Sequence, residues 1–197
     1  ILWDMGYQAY THKLITGRKD FTTFRQRGGL SPFYNKDESV HDPFTTGHGG
    51  TVLSTALGLL AARDLQGGSE SIVAVIGDAA LCEGMALEAL NHIGHLEKKD
   101  FLMILNDNRM SIAPGVGGFR KYLNRVITAP IYNRIKEDVE GLVQKLPRYG
   151  KRIVRTAKKL EESLKGLLVP GMIFEELGLR YFGPIDGHDI KRVIATL

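Results

Sequence analysis

The stretch from Ser71 to Met110, SIVAVIGDAALCEGMALEALNHIGHLEKKDFLMILNDNRM, decides the fold of this chain. It contains two short apolar runs, Ile72–Ile76 and Phe101–Leu105, each of which ends abruptly in turn-forming and polar residues. Between the runs, apolar side chains recur at the spacing of a helix. Short apolar runs separated by a helix are typical of buried parallel strands in a βαβ unit. The stretch therefore predicts an α/β domain.

Polar side chains follow both predicted strands. Asp78 comes after the first run, and Asn108 closes an Asn-Asp-Asn sequence after the second. Because parallel strands end at the same edge of a sheet, these side chains are expected to meet where open α/β sheets bind ligands. Their oxygens suit Mg²⁺, and the main-chain carbonyl of Met110 is well placed to add another ligand. An aspartate at a strand end is also often a helix N-cap or a turn residue, but the matching position of Asn108 favours the metal site.

A glycine-rich segment, Thr45–Thr51, precedes an almost wholly apolar run of small residues, Val52–Ala62, which predicts a buried helix. Small residues let a ligand approach the backbone, and a helix N-terminus attracts anions. The same glycines also suit a tight turn packed against a neighbouring segment. The residues alone support both interpretations equally.

Composition and charge exclude several classes of protein. Of the 197 residues, 43% are hydrophobic and no apolar run approaches the roughly 20 residues that span a bilayer, so no membrane role is expected. The net charge of +4 comes from basic residues interleaved with acids, which is typical of solvated helix faces and argues against nucleic-acid binding. A single cysteine, Cys82, suits a reducing cytoplasm.

The rest of the chain is predicted to belong to one domain, residues 1–197, truncated at both ends because it begins within a strand and ends within a helix. Residues 111–168 are predicted to form an insert of a loop and amphipathic helices within this domain. The further predicted elements are an irregular segment at Thr16–Glu38, a loop at Ser111–Arg125, helices at Ile131–Gln144, Arg152–Leu168 and Met172–Leu177, a strand at Leu179–Phe182, and a last helix at Ile190–Leu197 with Asp189 as its N-cap.

Gly-Asp followed about thirty residues later by Asn-Asp-Asn resembles the thiamine-diphosphate motif of the transketolase-like enzymes. The flanking sequence narrows the resemblance to the 1-deoxy-D-xylulose-5-phosphate synthase family. The matching segments occur in order along the whole chain, and they are Trp3–Lys13, Arg25–Leu30, Thr46–Thr51, Asn106–Ile112, Val169–Gly178 and Tyr181–Asp189.

This resemblance implies a three-layer α/β/α thiamine-diphosphate-binding fold with a mostly parallel sheet. It implies thiamine diphosphate and Mg²⁺ as cofactors. The implied reaction condenses pyruvate with D-glyceraldehyde 3-phosphate to 1-deoxy-D-xylulose 5-phosphate and carbon dioxide, a precursor for isoprenoids, thiamine and pyridoxal. The cofactor supplies the carbanion chemistry. A cytoplasmic homodimer is also implied.

The resemblance assigns roles to individual residues. Metal ligands would be Asp78, Asn108 and the carbonyl of Met110. His188 and His48 would be the catalytic histidines. The less favoured alternative for His188 is a turn histidine bonded to its own loop. The remaining cofactor contacts would come from Tyr7, Gly47, His48, Gly49, Ala79, Ala80, Asn108 and Tyr181. By their positions on the helix after Asp78, His92 and His95 are expected to be structural or surface residues. Cys82 is expected to be a small residue at the start of that helix and not a nucleophile, because no paired base is evident.

Two residues depart from the family pattern. Ala79 stands where the family has glycine, which would add strain if that position required a positive φ. Tyr7 stands where the family usually has histidine, and a phenol is a poor proton shuttle at neutral pH. The second domain of the family, which binds the aminopyrimidine and carries the activating glutamate, is absent, so the chain alone is predicted to be inactive.

Three alternatives remain open on sequence alone. The chain could be a related transketolase-like half-enzyme whose pyrimidine-binding partner is a second chain. It could also be a non-catalytic remnant in which Tyr7 and Ala79 record lost cofactor binding. A nucleotide-binding Rossmann domain is the weakest alternative, because no Gly-x-Gly-x-x-Gly leads from a strand into a helix.

Overall fold

A computed structural model describes residues 1–5, 9–97, 100–108, 117–128 and 171–197. The chain divides into two compact units, residues 1–120 and residues 121–197. The elements, in chain order, are β1 (Leu2–Trp3), α1 (Ala9–Ile15), α2 (Val52–Gln66), β2 (Ile72–Gly77), α3 (Asp78–Leu81), α4 (Gly84–Leu96), β3 (Phe101–Asn106), α5 (Gly118–Thr128), α6 (Met172–Glu176) and α7 (Ile190–Thr196).

The described strands form a three-stranded parallel sheet in the order β1-β2-β3. Strand β1 pairs with β2 through Leu2 with Ala74 and Trp3 with Val75. Strand β2 pairs with β3 from Ile72 opposite Phe101 to the end of both strands. The connection between β2 and β3 contains helix α4, so the predicted βαβ unit and the α/β class are confirmed.

The core of the first unit lies where α2 packs on β2 and against α4. Its fully buried side chains include Leu53 and Leu60 of α2, Ile76 of β2, and Leu90 and Ile93 of α4. Burial of each such side chain stabilises the fold by about 1.5–3 kcal/mol. This packing fixes the edge of the sheet at which the predicted ligand side chains emerge.

Helix α2 is buried on one face only, whereas the almost wholly apolar run Val52–Ala62 predicts a buried helix. Val52, Leu53, Ala56 and Leu60 are buried, whereas the exposed residues of the predicted run are Ser54, Gly58 and Ala62. The composition of Val52–Ala62 did not indicate which residues face solvent, because the run has no polar stripe to mark an exposed face. The helix ends at Gly67, whose left-handed φ of 67° is the usual glycine C-cap.

Three sequence predictions need correction, and two further predicted helices lie outside the described residues. Strand β3 is only half-buried, with Leu102 38% exposed, because β3 lies at an edge of the described sheet. The predicted loop at Ser111–Arg125 contains the start of a helix, since α5 begins at Gly118. Leu179–Phe182 has no strand assignment. The predicted helices at Ile131–Gln144 and Arg152–Leu168 lie outside the described residues.

The long segment between α1 and α2 contains no helix or strand, which confirms the irregular segment predicted at Thr16–Glu38. A buried ionic cluster attaches it to α1. Asp42 accepts hydrogen bonds from Arg18 and contacts His12, and Lys13 donates to Glu38 at 2.5 Å. These contacts join residues 24 to 30 positions apart in the chain, so they fix the path of a segment that has no regular structure.

In the second unit, helix α6 is joined to α5 by the amide of Ile173, which donates to the Tyr122 hydroxyl at 3.0 Å. Asp189 precedes helix α7, and its carboxylate accepts a hydrogen bond from the Arg192 amide at 3.1 Å, so the predicted N-cap is confirmed. Within the described ranges, no helix is long and apolar enough to cross a membrane.

Candidate functional site

The carboxyl ends of the three strands meet at one edge of the sheet. The pairing of β2 with β3 finishes at Gly77 opposite Asn106, so Asp78 and Asn108 leave adjacent strands at this edge. Asp4 follows β1, and its amide donates to the Val75 carbonyl at 2.9 Å. Three strand ends thus place a polar side chain at the edge where parallel sheets bind ligands.

Asp4 fixes the glycine-rich segment to this edge. Asp4 is 1% exposed, and its carboxylate accepts hydrogen bonds from the amides of Gly50 at 2.9 Å and Val52 at 3.1 Å. Burial raises the pKa of Asp4, and amide hydrogen bonds from the same segment oppose that shift. Because these amides open helix α2, Asp4 occupies much of the anion-attracting terminus that the sequence offered for a ligand.

The glycines beside Asp4 also have close packing partners. A Cβ at Gly49 would approach the Glu83 carboxylate at 2.7 Å, and one at Gly50 would approach it at 2.6 Å. Gly50 has a φ of 73°, a left-handed conformation that favours glycine. Burial followed by the nearby charge of Asp4 raises the pKa of Glu83. At Gly49 and Gly50, the structure gives glycine a packing role, which was one of the two interpretations open from sequence.

His48 and Gly47 lie on the exposed side of the same segment. The carbonyl of His48 accepts a hydrogen bond from the Thr51 hydroxyl at 3.1 Å, which orders the turn while the imidazole faces solvent. Phe33 lies 3.6 Å from the position of a Cβ on Gly47. His48 is therefore accessible at the end of a turn whose backbone is fixed by Thr51 and Asp4.

Asp78 forms an ion pair with Arg120, the most informative contact at this edge. An Arg120 guanidinium nitrogen contacts the Asp78 carboxylate oxygen Oδ2. Asp78 is 6% exposed and Arg120 is 9% exposed, so the pair is removed from bulk water. A buried carboxylate needs a compensating cation, and here the guanidinium provides it.

Cys82 lies near this pair, and its thiol donates to the main-chain carbonyl of Asp78 at 3.3 Å. Burial raises the pKa of the thiol, while Arg120 acts in the opposite direction. A thiol with a raised pKa is a weak nucleophile at neutral pH. The structural role predicted for Cys82 agrees with this environment.

The donor set at the edge fits a hard cation. Asp78 already carries a cationic partner, so the guanidinium stands in for the charge that a metal would bring. Asn108 offers an exposed amide at the neighbouring strand end. Among the described residues, no three His, Cys, Asp or Glu side chains gather into a metal-binding group. One carboxylate and one amide oxygen would be enough for Mg²⁺ only if phosphate oxygens and water completed its shell, as they commonly do.

Ala79 and Ala80 lie in the first turns of helix α3, directly after Asp78. The described non-glycine residues with positive φ are Arg25, Glu97 and Asp100, so Ala79 is not among them. The concern that alanine would strain the backbone at this position is therefore wrong. Its methyl group replaces only a hydrogen atom on an exposed turn.

Tyr181 and His188 belong to the second unit. The Tyr181 ring stacks on Phe174 with centroids 5.9 Å apart, and a Cβ at Gly171 would lie 2.5 Å from that ring. His188 is fully exposed, and its amide donates to Asp186 at 2.9 Å. These contacts fix the Tyr181 ring and place His188 in a turn bonded to Asp186. The catalytic and cofactor roles of these two residues stay predictions.

Two of the assigned residues, Tyr7 and Met110, lie outside the described residues. Three residues that the structure places at the edge were not singled out from sequence. Asp4 carried a usable signal, because it follows a predicted strand in the same way as Asp78. Glu83 and Arg120 carried none, since their roles depend on contacts with segments far away in the chain.

Replacing Asp4 by alanine is expected to lower the free energy of unfolding by about 1–3 kcal/mol, because the first amides of α2 would lose their acceptor. Asp4→Asn should lose less, since its amide oxygen can still accept one of the two bonds. Urea denaturation of the two variants beside the unsubstituted protein measures the difference. Equal stability of Asp4→Ala and the unsubstituted protein would contradict the anchoring role.

Comparison with known proteins shows which family this chain matches. The family model described as 1-deoxy-D-xylulose-5-phosphate synthase matches residues 1–197. Synthases of that name from Alkaliphilus oremlandii and Carboxydothermus hydrogenoformans are each 54% identical, over 96% and 98% of this chain. The one from Halalkalibacterium halodurans is 51% identical over 100% of this chain. The chain spans only 30% to 31% of the length of these relatives.

Proposed function

The chain belongs to the 1-deoxy-D-xylulose-5-phosphate synthase family, and we propose that it supplies the Mg²⁺- and diphosphate-binding part of a thiamine-diphosphate-dependent transferase. In the complete protein, that transferase condenses pyruvate with D-glyceraldehyde 3-phosphate, releasing carbon dioxide. The product, 1-deoxy-D-xylulose 5-phosphate, is a precursor for isoprenoids, thiamine and pyridoxal.

One observation carries the proposal. The parallel pairing of Gly77 with Asn106 brings Asp78 and Asn108 to adjacent strand ends, and the buried Asp78 there is already neutralised by a cation. A carboxylate and an amide oxygen on neighbouring parallel strands suit a hard cation that also binds diphosphate. Asp78 and Asn108, with the carbonyl of Met110, would hold Mg²⁺.

The other assigned residues would position the cofactor. His48 is exposed at an ordered turn, and Ala79 and Ala80 open helix α3 next to Asp78. In this proposal, Gly47, Gly49 and the alanine backbone lie along the diphosphate, and His48 and His188 are the catalytic histidines. Tyr7 and Tyr181 complete the cofactor contacts. The bound thiamine diphosphate would supply the carbanion chemistry.

Isothermal titration calorimetry on the full-length protein tests the proposal. Thiamine diphosphate should bind in the presence of Mg²⁺ and lose most of its affinity when the metal is chelated. An absence of binding under both conditions would favour a non-catalytic remnant. Formation of deoxyxylulose phosphate only after addition of a second, separately encoded chain would favour the half-enzyme alternative.

The 197-residue chain by itself is proposed to be inactive, because it spans under a third of its relatives. Incubation with both substrates, thiamine diphosphate and Mg²⁺ should give no deoxyxylulose phosphate, and its appearance would overturn this part of the proposal. The complete protein is proposed to be a cytoplasmic homodimer without nucleic-acid or membrane partners. Analytical ultracentrifugation measures its oligomeric state.

A further inference from the structure

The ion pair between Asp78 and Arg120 puts a protein cation on the carboxylate that is proposed to bind the metal. The guanidinium nitrogen contacts Oδ2 of Asp78 directly. Both side chains are nine-tenths or more buried. The Nε of Arg120 is also buried and has no hydrogen-bond partner among the described residues. Arg120 is therefore bound at this position through Asp78, with its hydrogen-bonding capacity only partly used.

We propose that Arg120 is a built-in competitor of the divalent cation, which occupies the metal position at Asp78 and must leave it when Mg²⁺ binds. This inference rests on the proposed function, since it concerns the same carboxylate. It assigns Arg120 a part in metal affinity that neither the sequence motif nor the family match carries.

Electrostatics explains why the two cations exclude each other. A carboxylate removed from water is unfavourable without a positive partner. Once Mg²⁺ coordinates Asp78, a guanidinium at the same oxygen would place like charges within a few ångströms in a poorly screened environment, where repulsion is strong. The metal-free protein needs the cation of Arg120, and the metal-bound protein must displace it.

This exchange predicts opposite effects on stability and on affinity. A ligand that binds only the open state has an apparent affinity reduced by the fraction of molecules in that state. For example, if Arg120 covers Asp78 in roughly nine molecules out of ten, removing its charge tightens metal binding about tenfold. The same change leaves a buried carboxylate without a counter-ion, so it destabilises the metal-free protein. A residue with a merely structural role would weaken both properties.

The experiment uses three variants of the full-length protein. Arg120→Gln removes the positive charge, and Arg120→Lys retains it. Lys121→Gln is the matched control, because it removes the same charge from the next residue of helix α5, where the side chain is exposed. Two binding measurements are made on each variant: calorimetry with thiamine diphosphate and Mg²⁺, and electron paramagnetic resonance with Mn²⁺ alone. Thermal melting of the metal-free proteins gives the stability.

Arg120→Gln is expected to bind Mn²⁺ and Mg²⁺-thiamine diphosphate about tenfold more tightly and to melt at a lower temperature without metal. Arg120→Lys and Lys121→Gln should remain within about twofold of the unsubstituted protein in affinity, a tolerance small against that tenfold change. Unchanged or weaker Mn²⁺ binding by Arg120→Gln would overturn the inference, and weaker binding of the complex would show that Arg120 contacts the diphosphate instead.

The two binding measurements separate this inference from the proposed function. If Mn²⁺ binds more tightly to Arg120→Gln while no variant binds thiamine diphosphate, the competition is supported and the proposed function fails. If thiamine diphosphate binds with Mg²⁺ equally well to all variants, the proposed function is supported and the competition is overturned. If no variant binds Mn²⁺ or the cofactor, both fail.

Discussion

Replacing Asp78 by alanine is expected to lower the affinity of the full-length protein for Mg²⁺-thiamine diphosphate by at least about 100-fold. Losing a residue that only hydrogen-bonds to a metal ligand costs up to about 100-fold in affinity, and losing the ligand itself should cost at least as much. Asp78 is the one carboxylate in the proposed set of metal ligands. Asn108 would remain, but an amide oxygen brings no charge to the metal. Calorimetry at a fixed Mg²⁺ concentration measures the loss.

Because Asp78 is paired with Arg120, the Asp78→Ala substitution should change the stability of the protein as well as its metal affinity. In Asp78→Ala, the buried guanidinium of Arg120 loses its counter-ion, so the protein should also become less stable. The double variant Asp78→Ala/Arg120→Gln should recover stability because it removes the orphaned charge, yet it should still not bind the cofactor. This pattern would separate metal ligation from folding.

The control for the Asp78 experiment is Asp37→Ala, which removes the same charge from an exposed residue of the segment between α1 and α2. It should bind the cofactor like the unsubstituted protein. Normal cofactor affinity in Asp78→Ala would contradict the metal site, whatever its stability.

The central βαβ unit could be predicted because its signals are local. The predicted runs Ile72–Ile76 and Phe101–Leu105 differ from the observed strands by one residue each, since β2 extends to Gly77 and β3 to Asn106. An apolar run and the polar residues that end it lie within a few positions of one another. The parallel direction then followed from the helix between the strands.

The contacts around the site could not be predicted in the same way. The pair of Asp78 with Arg120 joins residues 42 positions apart, and the bonds of Asp4 to the start of α2 join residues 46 and 48 apart. Nothing in the local sequence around Arg120 marks this residue as a partner of a strand-end carboxylate. The sequence indicated which side chains could bind a metal, but not which other side chains of the protein already pair with them.

The contacts of Asp42 also could not be predicted from the sequence, and Asp42 belongs to no recognisable motif. It lies in an irregular segment and gave no signal in the sequence, yet it is buried at the centre of the ionic cluster that holds this segment to α1. Arg18 donates to both of its carboxylate oxygens, at 2.5 and 2.9 Å, and the Asn35 amide donates at 3.1 Å. His12 completes the set at 2.9 Å.

Asp42→Ala is therefore expected to lower the free energy of unfolding by about 3–5 kcal/mol, the usual cost of leaving a buried partner charge uncompensated. Chemical denaturation of the full-length protein measures the loss. Asp37→Ala again provides the exposed control and should change stability by no more than about 0.5 kcal/mol. A loss below about 1 kcal/mol in Asp42→Ala would match a solvent-exposed ion pair and would contradict the buried cluster.

The pH dependence gives an independent test of the cluster. Burial acts to raise the pKa of Asp42, but hydrogen bonds from Arg18, Asn35 and His12 outweigh it, so the pKa is lowered overall. An aspartate in the unfolded chain has a pKa of about 3.9. Because the folded pKa is below that value, the stability that Asp42 contributes is present above about pH 3.9 and is lost as the pH falls through the folded pKa. Asp42→Asn cannot titrate, so its stability should fall less steeply than that of the unsubstituted protein as the pH is lowered through this range. Parallel acid dependence in the two proteins would show that Asp42 is not the group whose ionisation stabilises the segment.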